Sequence, residues 1–295
     1  MVKPKLKYYF VFLGVLFLNG FFLIKISTAT SPDAIAVRVI QNPNHYSALR
    51  WYRESGFTGS PQSITVDGYE AVRDGRTVYV NAGNVQGDRL YTNIYLLSFS
   101  QAADNKTMDI FSSLLAHWKF NTNLDSGNCS QTASTSCLLD SECPLNEYCL
   151  SEKAEVVRDT NRMAGLGEIN VKLASYNSKK NYYPTLRSGT YLPHITISVW
   201  PSWQKVLGQE LSGGIPVDPI NKLGDCGDSR FNSVTCWDEV VRQFADSNPA
   251  NGMLDLPANS MVFVYTTDDT GSSYSLCAPM ESAYADYAET GICAN

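Results

Sequence analysis

The residues with most chemical scope are eight cysteines: Cys129, Cys137, Cys143, Cys149, Cys226, Cys236, Cys277 and Cys293. A thiolate can hold zinc, attack an electrophile or close a disulfide, and spacing separates these uses. Zinc sites draw on paired C-x-x-C units, and no such unit occurs here. An even set in a chain with an export segment reads instead as a disulfide framework. Four cysteines crowd between Cys129 and Cys149, so two local bridges are expected there, with their pairing open. Proximity favours Cys226 with Cys236 and Cys277 with Cys293.

Acid–base chemistry has little to start from. The three histidines, His45, His117 and His194, lie in separate segments, each beside an aromatic residue or a proline, and a structural role is expected for each. There is no H-E-x-x-H pair, no G-x-S-x-G elbow, no G-x-x-x-x-G-K-[ST] loop and no G-x-G-x-x-G after a strand. Asp225 with Asp228, and Asp268 with Asp269, could offer oxygens to calcium, a hard cation. Neither pair has EF-hand spacing, and turn-forming Asp is the expectation. Trp200 and Trp203, near Tyr182, Tyr183 and Tyr191, would make a sugar or peptide patch if exposed, but aromatic residues at these spacings are expected in the core. A hydrolase whose acid and base come from distant Asp or Glu residues would leave no local trace. No catalytic, cofactor-binding or metal residue is assigned.

The elements that must position these residues begin with an export segment. Lys3, Lys5 and Lys7 precede an uncharged apolar run, Tyr8 to Ile24, which Lys25 closes. Its length lies between that of a signal-peptide core and that of a membrane span, and Ser27-Thr28-Ala29 suits a cleavage site, so residues 1–30 read as a signal peptide or a membrane anchor. The lysine bias sends the remainder outward, to the cell surface or into the medium. A formal charge of −6 argues against nucleic acid as a partner.

Residues 31–124 read as a small α+β domain: a strand over Ile35 to Ile40, a short helix from His45, a hairpin at Asp67-Gly68, strands at Thr77 to Val80 and Leu90 to Phe99, and a helix capped by Asn105 or Thr107. Residues 125–150 read as a Cys-rich linker. Residues 151–295 open with a long amphipathic helix from the cap Ser151 to Pro184. Leu166, Ile169, Leu173 and Tyr176 form its buried stripe, and Arg158, Asp159, Arg162, Glu168 and Lys172 fall mainly off it. A second helix from Pro201 and strands at Ile195 to Val199, Met261 to Thr267 and Ser273 to Ala278 complete an α+β fold.

The order Arg158-Asp159, Arg162, Leu166, Glu168-Ile169, Leu173, Tyr176, Tyr182-Tyr183-Pro184 and Ile215-Pro216-Val217-Asp218-Pro219, followed by a terminal hairpin, resembles the globular part of bacterial type IV pilin-like and type II secretion pseudopilin-like proteins. The resemblance covers the C-terminal half. It implies one long helix packed on an antiparallel sheet, and a structural subunit rather than an enzyme. The sequence departs from a pilin in lacking the Gly and Phe-Thr-x-x-Glu motif that opens a continuous pilin helix. The expected function is thus that of an exported envelope or surface structural protein, held by its N-terminal helix if uncleaved and acting through protein contacts. A surface adhesin or sugar-binding module and a secreted hydrolase are the alternatives.

Overall fold

Turn chemistry builds the first sheet. Asp67 and Gly68 both take positive φ, +51° and +84°, the geometry of the two-residue turn that matches strand twist. They join β2 (Gln62–Val66) to β3 (Tyr69–Asp74), and β4 (Thr77–Gln86) and β5 (Arg89–Phe99) continue the meander. With β1 (Ile35–Gln41) they form a five-stranded antiparallel sheet in the order β1-β5-β4-β3-β2. This computed structural model describes residues 33–245, 255–284 and 292–294, so the apolar segment Tyr8 to Ile24 and its candidate cleavage site lie outside the described residues. Among those described, no helix is long and apolar enough to cross a membrane.

Both faces of the sheet are covered, because successive side chains point to opposite sides. Tyr69, Ala71, Val78, Val80, Ala82 and Leu97 pack with Phe111 of α2 (Asn105–His117) and with Phe120. On the opposite face Val72, Tyr79 and Ile94 pack with Ala48 and Tyr52 of α1 (Ala48–Glu54). The α2 cap is neither Asn105 nor Thr107 but the residue before them. Asp104 caps the helix, its carboxylate accepting from the Thr107 N–H, because Asp answers the orphan amides of a first turn at least as well as Asn.

The stretch 125–150 contains the two-residue strands β6 (Gly127–Asn128) and β7 (Ser136–Cys137), paired to each other, and leads into α3 (Glu152–Lys180). The α3 boundaries follow local chemistry. Ser151 Oγ accepts from the Ala154 N–H, Glu152 and Glu155 sit in the first turn, Lys179 and Lys180 in the last, and Asn181 ends the helix in the left-handed region. Leu166, Ile169 and Leu173 are buried against Trp203, Leu207, Phe263, Tyr265 and Leu276, with Tyr176 half-buried alongside. Gly165 permits this approach, since a Cβ there would meet the Phe263 ring at 3.0 Å.

The second sheet is antiparallel, in the order β13-β12-β11-β8, from β8 (Ile195–Ile197), β11 (Val264–Thr267), β12 (Tyr274–Ala278) and β13 (Ile292–Ala294). A small hairpin of β9 (Trp237–Asp238) and β10 (Gln243–Phe244) lies between β8 and β11 in the chain. The helix expected after Pro201 is π-helical over Trp203–Gly208. The described residues make one compact unit, and α3 is common to its parts: Val157 belongs to the core of the first sheet and Leu166, Ile169 and Leu173 to that of the second. The fold is mixed α+β with antiparallel sheets.

Amphipathicity fails in the N-terminal half of α3. Lys153, Arg158, Asp159 and Arg162 are buried along with the apolar Ala154, Val156, Val157 and Met163. Of the charged residues expected off the stripe, Arg158, Asp159 and Arg162 are thus inside, where ion pairing must replace water, while Glu168 and Lys172 stay partly exposed.

Candidate functional site

The eight cysteines pair as Cys129–Cys143, Cys137–Cys149, Cys226–Cys236 and Cys277–Cys293. The first two interlace and turn the expected linker into a two-bridge knot. The sulfurs of Cys129, Cys137 and Cys143 lie within 4.8 Å of one another. All three are consumed in bridges, so this proximity reflects stacked disulfides rather than thiolate ligands. Four disulfides fit an extracellular or secreted protein.

The densest gathering of charge among the described residues is carried by a turn and a half of α3. Arg158 grips Glu281 with both branches of its fork, Nε–Oε2 2.6 Å and Nη2–Oε1 2.9 Å, while its Nη1 reaches Asp140 at 2.6 Å and donates to the Cys149 carbonyl. Arg162 grips Asp218 in the same two-pronged way, at 2.7 and 3.1 Å, and its Nη1 meets Asp159 at 2.8 Å and Glu281 at 2.5 Å. Asp159 in turn accepts the backbone N–H groups of Glu281 and Ser282, and Asp218 those of Ile220 and Asn221. Planar forks on carboxylates give the strongest geometry available to an ion pair.

Two guanidinium groups thus hold three remote pieces of chain on α3: the knot through Asp140 and Cys149, the loop after Pro216 through Asp218, and the segment after β12 through Glu281. Burial alone would lower the Arg162 pKa, but Asp218, Glu281 and Asp159 reverse this and hold it above the ordinary value. Burial pushes Glu281 upward, yet Arg158 and Arg162 keep it below the usual carboxylate range. Both arginines stay charged and their donors are committed. The cluster is a lock, and it offers no free acid or base of its own.

Glu155, one turn earlier, shows the remaining excess of negative charge. Burial, then Glu281, raises its pKa to about 7. A carboxyl raised in the folded state gives stability that is full below its unfolded pKa and lost as pH rises through about 7. Glu155→Gln should therefore melt higher than the parent at pH 8 and level with it near pH 4.5. Thermal melts across that range check this, and an equal shift at both ends would show that charge is not the cause.

A cleft of about 450 Å³ lies between α1 and α3, lined among others by Ser47, Arg50, Arg53, Glu70, Asn161 and Glu168. Arg50 clasps Glu168 at 2.8 and 2.6 Å, and burial, then Glu168, raises the Glu70 pKa. A raised carboxyl in a cleft has the makings of a proton donor. Ser47 beside it is occupied as the α1 cap, accepting from the Arg50 N–H, so the cleft pairs an acid with an ion pair but brings no activated nucleophile to it.

The other candidates are scattered. His45 Nδ1 lies 2.9 Å from Thr92 Oγ1, His117 Nδ1 lies 2.8 Å from the Ser113 carbonyl, and His194 sits between the Thr185 carbonyl and Asp269. Asp268 is held well below the usual carboxylate range by Thr270, Ser273 and Ser272, which close its own turn. Asp225 and Asp228 likewise accept backbone N–H groups two residues on. These are turn geometries. Trp200 and Trp203 are core residues, their indole N–H groups donating to the Thr235 and Pro216 carbonyls. Tyr191 stacks on Trp237 at 4.7 Å, Tyr183 packs against Tyr274, and Tyr182 meets Tyr176 edge-on. The sequence reading missed the cluster on α3, although Arg158, Asp159 and Arg162 within one turn and a half were its visible half. Comparison with protein-family models, with curated proteins and with solved structures finds no match to this chain.

Proposed function

We propose that this chain is an exported structural subunit of a cell envelope or surface, acting through protein–protein contacts and not by catalysis. On this reading α3 laid on the β8, β11, β12 and β13 sheet is a pilin-like domain, and the N-terminal apolar segment is the tether or the export signal. The observation that carries the proposal is the pairing of all eight cysteines, which belongs to an oxidising compartment. The arginine lock supports it as well: the most elaborate polar structure in the described residues fastens loops to a helix.

Membrane fractionation of the expressed full chain, with intact-mass measurement before and after reduction, tests this. A membrane-bound or exported chain that gains eight hydrogens, two for each of four bridges, is the expected result. A cytoplasmic product with free thiols would overturn the reading.

A further inference from the structure

The first sheet ends in an edge strand protected by a single charge, Arg38. Among the described residues nothing pairs with the outer side of β1. Its neighbour is β5, and the flanking bonds, Ser100 N–H to the Ala34 carbonyl and Asn42 N–H to the Thr92 carbonyl, fix the alternation. Even-numbered residues turn their backbone groups toward β5. Ile35, Val37, Val39 and Gln41 therefore turn theirs outward.

Edge strands of monomeric proteins are commonly blunted by charge, proline or a bulge. Here the strand pairs with β5 in unbroken register from Ile35 to Gln41 and carries one charge, Arg38. Val37 and Val39 are 46% and 52% exposed. The opposite edge differs: the exposed positions of β2 are Gln62, Ser63 and Thr65.

We propose that β1 pairs with β1 of a second copy, in antiparallel register centred on Val37, joining two sheets across a two-fold axis. The strand is complementary to itself in that register. Val37 faces its own counterpart, Val39 faces Ile35, and Arg38 faces Ala36. Sliding to a centre on Arg38 sets two arginines directly opposite, which is destabilising. Sliding to a centre on Ala36 sets Val39 against Asp33. The charge of Arg38 thus disfavours the register centred on itself, the register centred on Val37 buries the three apolar positions Ile35, Val37 and Val39 against one another, and a two-fold contact uses each edge once, so assembly stops at the dimer. This assignment rests on the edge strand alone and stands whether or not the chain serves in an envelope.

Cysteine scanning of the purified full chain, in detergent, tests it. Residues opposite each other in a hydrogen-bonded antiparallel pair have Cα atoms about 5.5 Å apart, within disulfide reach. Val37→Cys should give a reducible dimer on mild oxidation, with the four native bridges intact by peptide mapping. Val39→Cys pairs with Ile35, so its two copies stand about 13 Å apart along the strands, and it should crosslink roughly tenfold less. Val39→Pro removes an outward N–H that β5 does not use, and should give a monomer that melts close to the parent. Val39→Lys is the second disrupting variant should the proline disturb β1. Equal crosslinking at positions 37 and 39, a parent chain monomeric at every concentration, or a dimer that persists in both disrupting variants would each overturn the proposal.

Discussion

Replacing Arg162 with Met should cost the fold about 5 kcal/mol, the upper end of what is lost when one partner of a buried ion pair is removed. The substitution keeps most of the side-chain volume, so the loss is electrostatic rather than a cavity. Arg162 is fully buried, and it alone meets Asp159, Asp218 and Glu281 together. Without it three carboxylates share a pocket in which Arg158 can serve only Glu281 and Asp140. They must then take up protons or admit water, and the loop at Asp218 and the segment at Glu281 are released from α3. The parent cluster gives stability that is lost as pH falls through the depressed Glu281 pKa. In the Met variant that dependence should flatten, because protonation then relieves repulsion. Arg162→Lys should recover little, since an ammonium cannot span the two-pronged contact with Asp218. Chemical denaturation at several pH values checks this. A loss below about 1 kcal/mol would mean that the carboxylates are solvated in the native state, as exposed pairs are.

Where structure was dictated locally, the sequence was readable. The Asp67-Gly68 turn needs two residues that tolerate positive φ, and both are present. Ser151, Glu152 and Glu155 at one end of α3 and Lys179 and Lys180 at the other answer the orphan backbone groups and the dipole of the helix. The apolar stripe through Leu166, Ile169 and Leu173 follows from the helical period alone. The lock does not, because its partners lie 18, 56 and 123 residues from the arginines. A charged residue read by itself points to water, and only the return of Glu281 and Asp218 makes its burial tolerable. The β9 and β10 hairpin was hidden for a different reason: its two-residue strands are too short to show a period. Distance in sequence also hid the knot's place in the molecule: Leu139, in the Cys-rich stretch 125–150, packs into the core of the first sheet.

Removing both bridges of the knot, by changing Cys129, Cys137, Cys143 and Cys149 to Ala, should also cost about 5 kcal/mol. Each bridge closes a short loop, 14 residues for Cys129–Cys143 and 12 for Cys137–Cys149, and loop-closure entropy assigns about 3 kcal/mol to a loop of that size. Because the loops overlap, the second bridge closes a chain that the first has already shortened, so the two together fall short of their sum. The knot also presents the Asp140 carboxylate and the Cys149 carbonyl to Arg158, so the bridges and the lock stabilise the same interface. Combining the four Cys→Ala changes with Arg158→Met should therefore cost less than the separate losses added together. Residues that share partners commonly show coupling of about 0.5–3 kcal/mol. Removing Cys226–Cys236, which closes a largely exposed loop with no hydrogen bond or ion pair to Arg158 among the described residues, should couple to Arg158→Met much less than the knot does. Urea denaturation of the six proteins decides it. Full additivity for the knot would mean that Asp140 and Cys149 are held in place without their disulfides, and that Arg158 by itself is enough to seat the knot on α3.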